Sequence, residues 1–184
     1  MSLKFHRAVS AGAVIVLLAT LGRPCSFGQE TLRASDTILL VAKGFQIRYP
    51  KSWRILGAPL DDILDIVNFP TSRQVRGVVV PLEGARLTVL RAPGPTTIEA
   101  RLRADARTRE RQGDPIAVAE LTPPAFEVLW LVDVGGAFPM EVRAFYLRCK
   151  AHLFCAYLDY WPDNPAKVEL RKLALSVLAT LEVE

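Results

Sequence analysis

Three stretches in the second half of the chain, 126–134 (FEVLWLVDV), 140–150 (containing AFYLRC) and 153–160 (LFCAYLDY), restrict the fold more than any other feature. Side chains along a strand point alternately to opposite faces, so a strand with one wet face alternates apolar and polar residues. Here Phe126, Val128, Trp130 and Val132 line one face, yet Leu129 and Leu131 make the other face apolar too. AFYLRC and LFCAYL behave in the same way. A sheet built from such strands has to be covered on both sides.

Two amphipathic segments are available to cover it. After Pro93-Gly94-Pro95, Thr96 and Glu99 have capping-box spacing, and Ile98, Leu102 and Ala106 recur every fourth residue, which predicts a helix running to Gly113. Its arginines (101, 103, 107, 109 and 111) are interleaved with Glu99, Asp105, Glu110 and Asp114, the pattern of a solvated face laced with ion pairs rather than a basic binding patch. Near the end of the chain, Asp163-Asn164-Pro165 predicts a cap for a second helix, in which Leu170, Leu173, Ala174, Val177 and Leu181 form a broad apolar stripe. One helix is thus expected for each face.

The first half supplies shorter strands. Thr37–Ala42 is apolar and β-branched, and Lys43-Gly44 turns the chain into GFQIRYPKSW. There Phe45, Ile47 and Tyr49 point to one side and Gln46 and Arg48 to the other; Pro50 ends the strand, and Trp53 is placed to fold back over its apolar face. Strands are predicted at 63–69, 77–82, Ala85–Arg91 and 116–121, with loops at 57–59 and 70–76. The expected class is α+β, a twisted and mostly antiparallel sheet flanked by helices as an α/β/α sandwich.

Residues 1–28 have the layout of a secretory signal peptide: Lys4, His6 and Arg7 precede a weakly polar run over 8–22, followed by small residues. Cleavage is placed after Gly28, with Gly22 as the second choice; a retained anchor and a lipidated Cys25 are the minor alternatives. Residues 29–36 are a polar lead-in, and 37–184 form a single domain expected to fold without the first 28 residues. The protein is read as exported, periplasmic or secreted, with no membrane span in the mature chain. Of 23 basic residues Lys4, Arg7 and Arg23 fall in the signal segment, leaving 20 against 19 acids. A mature charge near +1 gives no reason to expect nucleic acid or another polyanion.

Chemistry-bearing residues are sparse. His152 is the one histidine outside the signal segment, which excludes a multi-histidine metal site and leaves a solvated turn residue. Asp61, Asp62 and Asp65 are too few for calcium without a glycine-rich loop, and no phosphate-binding or nucleophile-elbow motif occurs. No catalytic, cofactor or metal residues are therefore assigned, and no cofactor is expected. Trp161 is the candidate partner-facing aromatic, closure of the sheet edge being its plainer use. Cys149 and Cys155 are expected to form a disulfide, because an exported chain meets oxidising conditions and a hairpin loop over 151–153 sets the two opposite each other. A loop of another length would put them on opposite faces.

The order of elements, from a hairpin with GFQIRYPKSW through a helix opened by PGPTTIEARL and four strands to a closing helix ending SVLATLEV, resembles the PsbP-like superfamily. That superfamily includes the extrinsic lumenal subunit of photosystem II, the Ran-binding Mog proteins and exported bacterial proteins of unknown function. The resemblance covers 37–184 and implies a sheet between helices and members that bind or help assemble partners, without a shared catalytic apparatus. The leading reading is an exported, non-catalytic module that binds or assists assembly of another protein. The alternative is a carrier of a small apolar ligand in a cleft between helix and sheet, and an enzyme of unrecognised type stands third.

Overall fold

The fold is organised by a seven-stranded antiparallel sheet. A computed structural model describes residues 32–42, 44–57, 63–70, 72–75, 78–94, 96–109, 115–121, 125–134 and 138–183. The predicted signal segment and Asp61 and Asp62 lie outside these residues. The strands are β1 (Thr37–Ala42), β2 (Phe45–Pro50), β3 (Arg54–Ile55), β4 (Ile63–Val67), β5 (Ser72–Val75), β6 (Val78–Pro81), β7 (Ala85–Arg91), β8 (Pro115–Leu121), β9 (Ala125–Val134), β10 (Phe138–Cys149), β11 (His152–Tyr160) and β12 (Glu182–Val183). The helices are α1 (Ile98–Arg109) and α2 (Lys167–Leu178). The main sheet runs β3-β4-β7-β11-β10-β9-β8, beside a three-stranded sheet β1-β2-β12 and the hairpin β5-β6.

Both faces of the main sheet are covered, as strands apolar on both sides require. On one face Phe145, Phe154, Leu158 and Leu87 meet Leu170, Ala174 and Leu178 of α2 and Phe45, Ile47 and Trp53 of the β2 segment. Phe45 and Phe154 pack edge to face, ring centres 5.3 Å apart. On the other face Trp130, Val142, Tyr146 and Cys155 meet Ile98 and Leu102 of α1 and Val80 of β6. Each large side chain buried here contributes roughly 1.5–3 kcal/mol, so the two clusters, not local propensity, hold the short helices in place.

Several local expectations are corrected. The 70–76 loop contains β5, whose sequence SRQV has no apolar alternation and forms a strand because β6 is there to pair with it. The two-residue strands β3 and β12 are too short to show a period, and β12 returns the end of the chain to β2. The α1 cap is Thr97, whose Oγ1 accepts the Ala100 N–H at 3.1 Å, while the Thr96 hydroxyl donates to the Pro93 carbonyl. Before α2, the Asn164 side chain accepts the Ala166 N–H at 2.9 Å and donates to the Gly84 carbonyl at 2.9 Å, fastening the turn to the β6–β7 loop instead of capping the helix directly.

Candidate functional site

Three carboxylates among the described residues, Glu127, Asp105 and Asp65, are bonded to side chains of neighbouring elements or strands. Glu127 projects from β9 towards α2. Its oxygens accept from Arg171 Nε at 2.8 and 3.1 Å, from Arg171 Nη2 at 2.5 Å and from Arg143 Nη1 at 2.8 Å. Burial by itself would raise the Glu127 pKa, but the bonds from Arg171 and Arg143 outweigh it and hold the carboxyl below the usual range. The signal in the sequence was an acid flanked by apolar residues on both sides within a strand, a position a charge tolerates only when paired.

On the opposite face the polarity is reversed, with the carboxylate on the helix. Asp105 of α1 accepts the Tyr146 hydroxyl at 2.8 Å and the Tyr157 hydroxyl at 2.5 Å, and Arg101 Nε stands 3.0 Å from its other oxygen. Arg101 also donates to the Tyr157 oxygen at 3.0 Å. Burial, reinforced at Tyr146 by the neighbouring Asp105 charge, raises the pKa of both phenols, so they remain neutral donors. Asp65, third in the DDILD run, accepts a two-pronged bond from Arg86 (3.1 and 2.9 Å) and one from Thr88, across the β4–β7 pair. Among the described residues no group of three or more His, Cys, Asp or Glu is arranged to hold a metal ion.

The cysteines do not pair with each other. Cys149 stands opposite His152 and Cys155 opposite Tyr146, and the two cysteines belong to clusters on different faces of the sheet. The turn consists of Lys150 and Ala151 alone, with Lys150 at φ +52°, the left-handed backbone favoured in two-residue hairpin turns. This loop is one residue shorter than expected, and a shift of one residue turns a side chain to the other face. Cys155 is a free, buried thiol that burial pushes up to about 12. His152 sits at the β11 end of the turn, half-buried.

Trp53 and Trp130 are core residues, whereas Trp161 is half-buried and leans on the second cluster between β11 and α2. Among the described residues the exposed large apolar side chains are spread singly over several elements (Ile63, Leu82, Leu131 and Val168) except on β1, where three fall on one strand: Val41 is 60% exposed, Leu39 42% and Ile38 40%. Strand β1 is an edge, paired only with β2 among the described residues. Opposite Leu39, the N–H and C=O of Arg48 are taken by the Thr180 hydroxyl at 2.8 and 3.2 Å, on the side of β2 away from β1. Leu39 and Arg48 are thus a non-hydrogen-bonded pair, and antiparallel alternation directs the N–H and C=O of Leu39 and of Val41 outwards, to the open edge. The sequence showed β1 as a strand, but nothing in TILLVA distinguishes an edge from a centre.

The architecture is that of the PsbP/Mog-like proteins. The Saccharomyces cerevisiae Ran-binding protein Mog1p superposes with a TM-score of 0.53 at 10% identity, over 80% of this chain and 95% of that one. The cyanobacterial PsbP (CyanoP) of Synechocystis sp. PCC 6803 gives 0.52 at 12% identity, over 83% of this chain and 95% of that one. Both are likenesses of fold, in the α+β class and with a mostly antiparallel, open sheet. The sequence matches no protein-family model and no curated protein sequence.

Proposed function

We propose that this chain is an exported, non-catalytic domain that binds, or helps to assemble, another envelope or secreted protein. The observation that carries this reading is the six-residue apolar edge strand β1, with Ile38, Leu39 and Val41 in solvent. Exposed apolar edges invite pairing with other chains, and a domain that keeps one has a use for it or a liability from it. The buried carboxylates of Asp105 and Glu127 are bonded to neighbouring elements of the fold. Ran binding by the yeast protein of the same fold supports a protein partner over a small molecule. Export rests on the basic, then apolar, then small-residue order of 1–28. No helix among the described residues is long and apolar enough to cross a membrane.

The test is cross-linking of the full chain in the cells that express it, followed by capture under denaturing conditions and extraction of small molecules from the same sample. A recurrent protein adduct, with no stoichiometric small molecule, is the expected result. A stoichiometric apolar compound and no protein adduct would replace this reading with that of a carrier.

A further inference from the structure

We propose that the outer edge of β1 takes up an extended segment of another protein as an additional strand, and that this segment carries a carboxylate beside a short apolar run. This binding mode rests on the protein-binding reading above and names the surface and the chemistry of the partner.

The backbone comes first. Leu39 and Val41 each point an N–H and a C=O away from β2, so the edge offers a row of donors and acceptors at the spacing an added strand matches. Among the described residues the other edges are short or blunted, β5 having four residues. β3 and β12 have two residues each, and β6 ends in Pro81. β8 starts at Pro115 and shifts register between Pro115 and Ala117. Proline, bulges and charge are the usual protections of an edge, and β1 has none of them along its length.

Charge then selects the occupant. Residues 32–54 hold five bases (Arg33, Lys43, Arg48, Lys51, Arg54) and one acid, Asp36, whereas the rest of 29–184 holds 15 bases and 18 acids. The β1–β2 hairpin and the residues flanking it in sequence are thus a net basic stretch of an otherwise slightly acidic domain, with Glu182 of β12 opposite Gln46 as the neighbouring acid. On the outer face Arg48 stands beside Leu39 and makes no ion pair with a described carboxylate. A strand added at β1 lies two strand spacings, about 9–10 Å, from β2, a distance that an arginine and a glutamate side chain span together. A second copy of this chain would bring two basic hairpins edge to edge, so a segment with acidic residues is the better match.

The experiment uses the full chain and two synthetic peptides, each with six alternating Val and Thr residues, flanked in one by Glu and in the other by Lys. Binding is read by fluorescence anisotropy and by amide exchange. The Glu-flanked peptide is expected to bind roughly two- to fivefold more tightly than the Lys-flanked one, to slow exchange at Leu39 and Val41, and to lose this preference in Arg48→Ser. Val41→Pro removes an outward N–H without touching the β1–β2 ladder, and is expected to weaken binding about tenfold; its urea midpoint checks that the fold persists. Arg48→Ser gives an independent readout should Val41→Pro misfold. Equal affinity for the two peptides, protection outside 37–42, or no binding of either overturns strand uptake of an acidic segment; a cross-linked partner mapped to another surface would then leave the protein-binding reading standing. A concentration-dependent dimer that Val41→Pro abolishes assigns the edge to a second copy and overturns it as well.

Discussion

Two strands of similar apolar content, β11 and β1, end in opposite surroundings. β11 (HLFCAYLDY) lies between β7 and β10 with both backbone edges paired, and Leu153, Phe154, Cys155, Ala156 and Leu158 are buried under a layer on either face. β1 (TILLVA) pairs on one edge among the described residues and leaves three large apolar side chains in water. Hydrophobicity is common to both, so position decides the outcome. In the sheet centre an apolar run is buried by the chain itself, and at an edge the same kind of run is left partly in solvent. Substitutions in the two regions should therefore differ sharply in their effect on stability.

The largest effect is expected for Trp130→Ala, in the sealed centre, where Trp130 is 1% exposed. Truncating a fully buried aromatic should cost about 3–5 kcal/mol, measured by urea denaturation. A loss below about 1 kcal/mol would put Trp130 outside the sealed region and remove the contrast.

Glu127→Gln tests whether the charges of the centre are structural. Arg143 and Arg171 would lose their ionic partner, but their side chains are 20% and 31% exposed, so solvent moderates the loss to about 2 kcal/mol. The sign with pH follows from the depressed carboxyl. Its folded pKa lies below the ordinary carboxylate value, so its contribution is full above that ordinary value and disappears as pH falls through the folded pKa. The stability gap between wild type and Glu127→Gln should be widest near neutral pH and close on acidification below about pH 4.5. A gap that stays constant into strong acid would mean that the carboxylate contributes as a hydrogen-bond acceptor only.

Cys155 probes how tightly the centre is closed. With its thiol buried and raised to about 12, it should resist alkylation in the folded protein at mildly alkaline pH and react on unfolding without reductant. Cys155→Ala should cost only about 1 kcal/mol, because few atoms are removed. Labelling of the folded chain at Cys155 would show that the face beneath α1 opens readily.

Much of the fold was legible in the sequence for the reason that makes β11 stable. Long strands apolar on both faces demand two covering layers, and the periods around Ile98 and Leu170 supply a helix for each. The hairpin register was not legible, because it turns on whether the loop at Lys150 has two residues or three, and residue types there permit either. The interior networks were not read from the sequence: Glu127 sits among apolar residues, but its partners come from 16 and 44 residues away. Trp161, for which edge closure was the plainer reading, is half-buried against the second cluster, and the exposed aliphatics of β1 were not legible, since exposure at an edge depends on strand order and not on residue type.

The smallest effect is expected for Val41→Thr, and it bears most directly on function. Val41 lies on β1 with 60% of its surface in solvent, and threonine keeps the branched β-carbon, the strand preference and the backbone N–H while exchanging a methyl for a hydroxyl. If the edge is bare in the isolated protein, the hydroxyl meets water and the urea midpoint should change by less than about 0.5 kcal/mol equivalent. A loss above about 1 kcal/mol would mean that Val41 is covered in solution by another part of the same chain, because only a buried hydroxyl without a partner is that costly. The edge would then be an occupied seam, and a partner would have to displace its occupant before it could bind. A neutral Val41→Thr that also weakens capture of the cross-linked partner would separate the two roles cleanly, with the sheet centre holding the domain together and β1 spending its apolar surface on another protein.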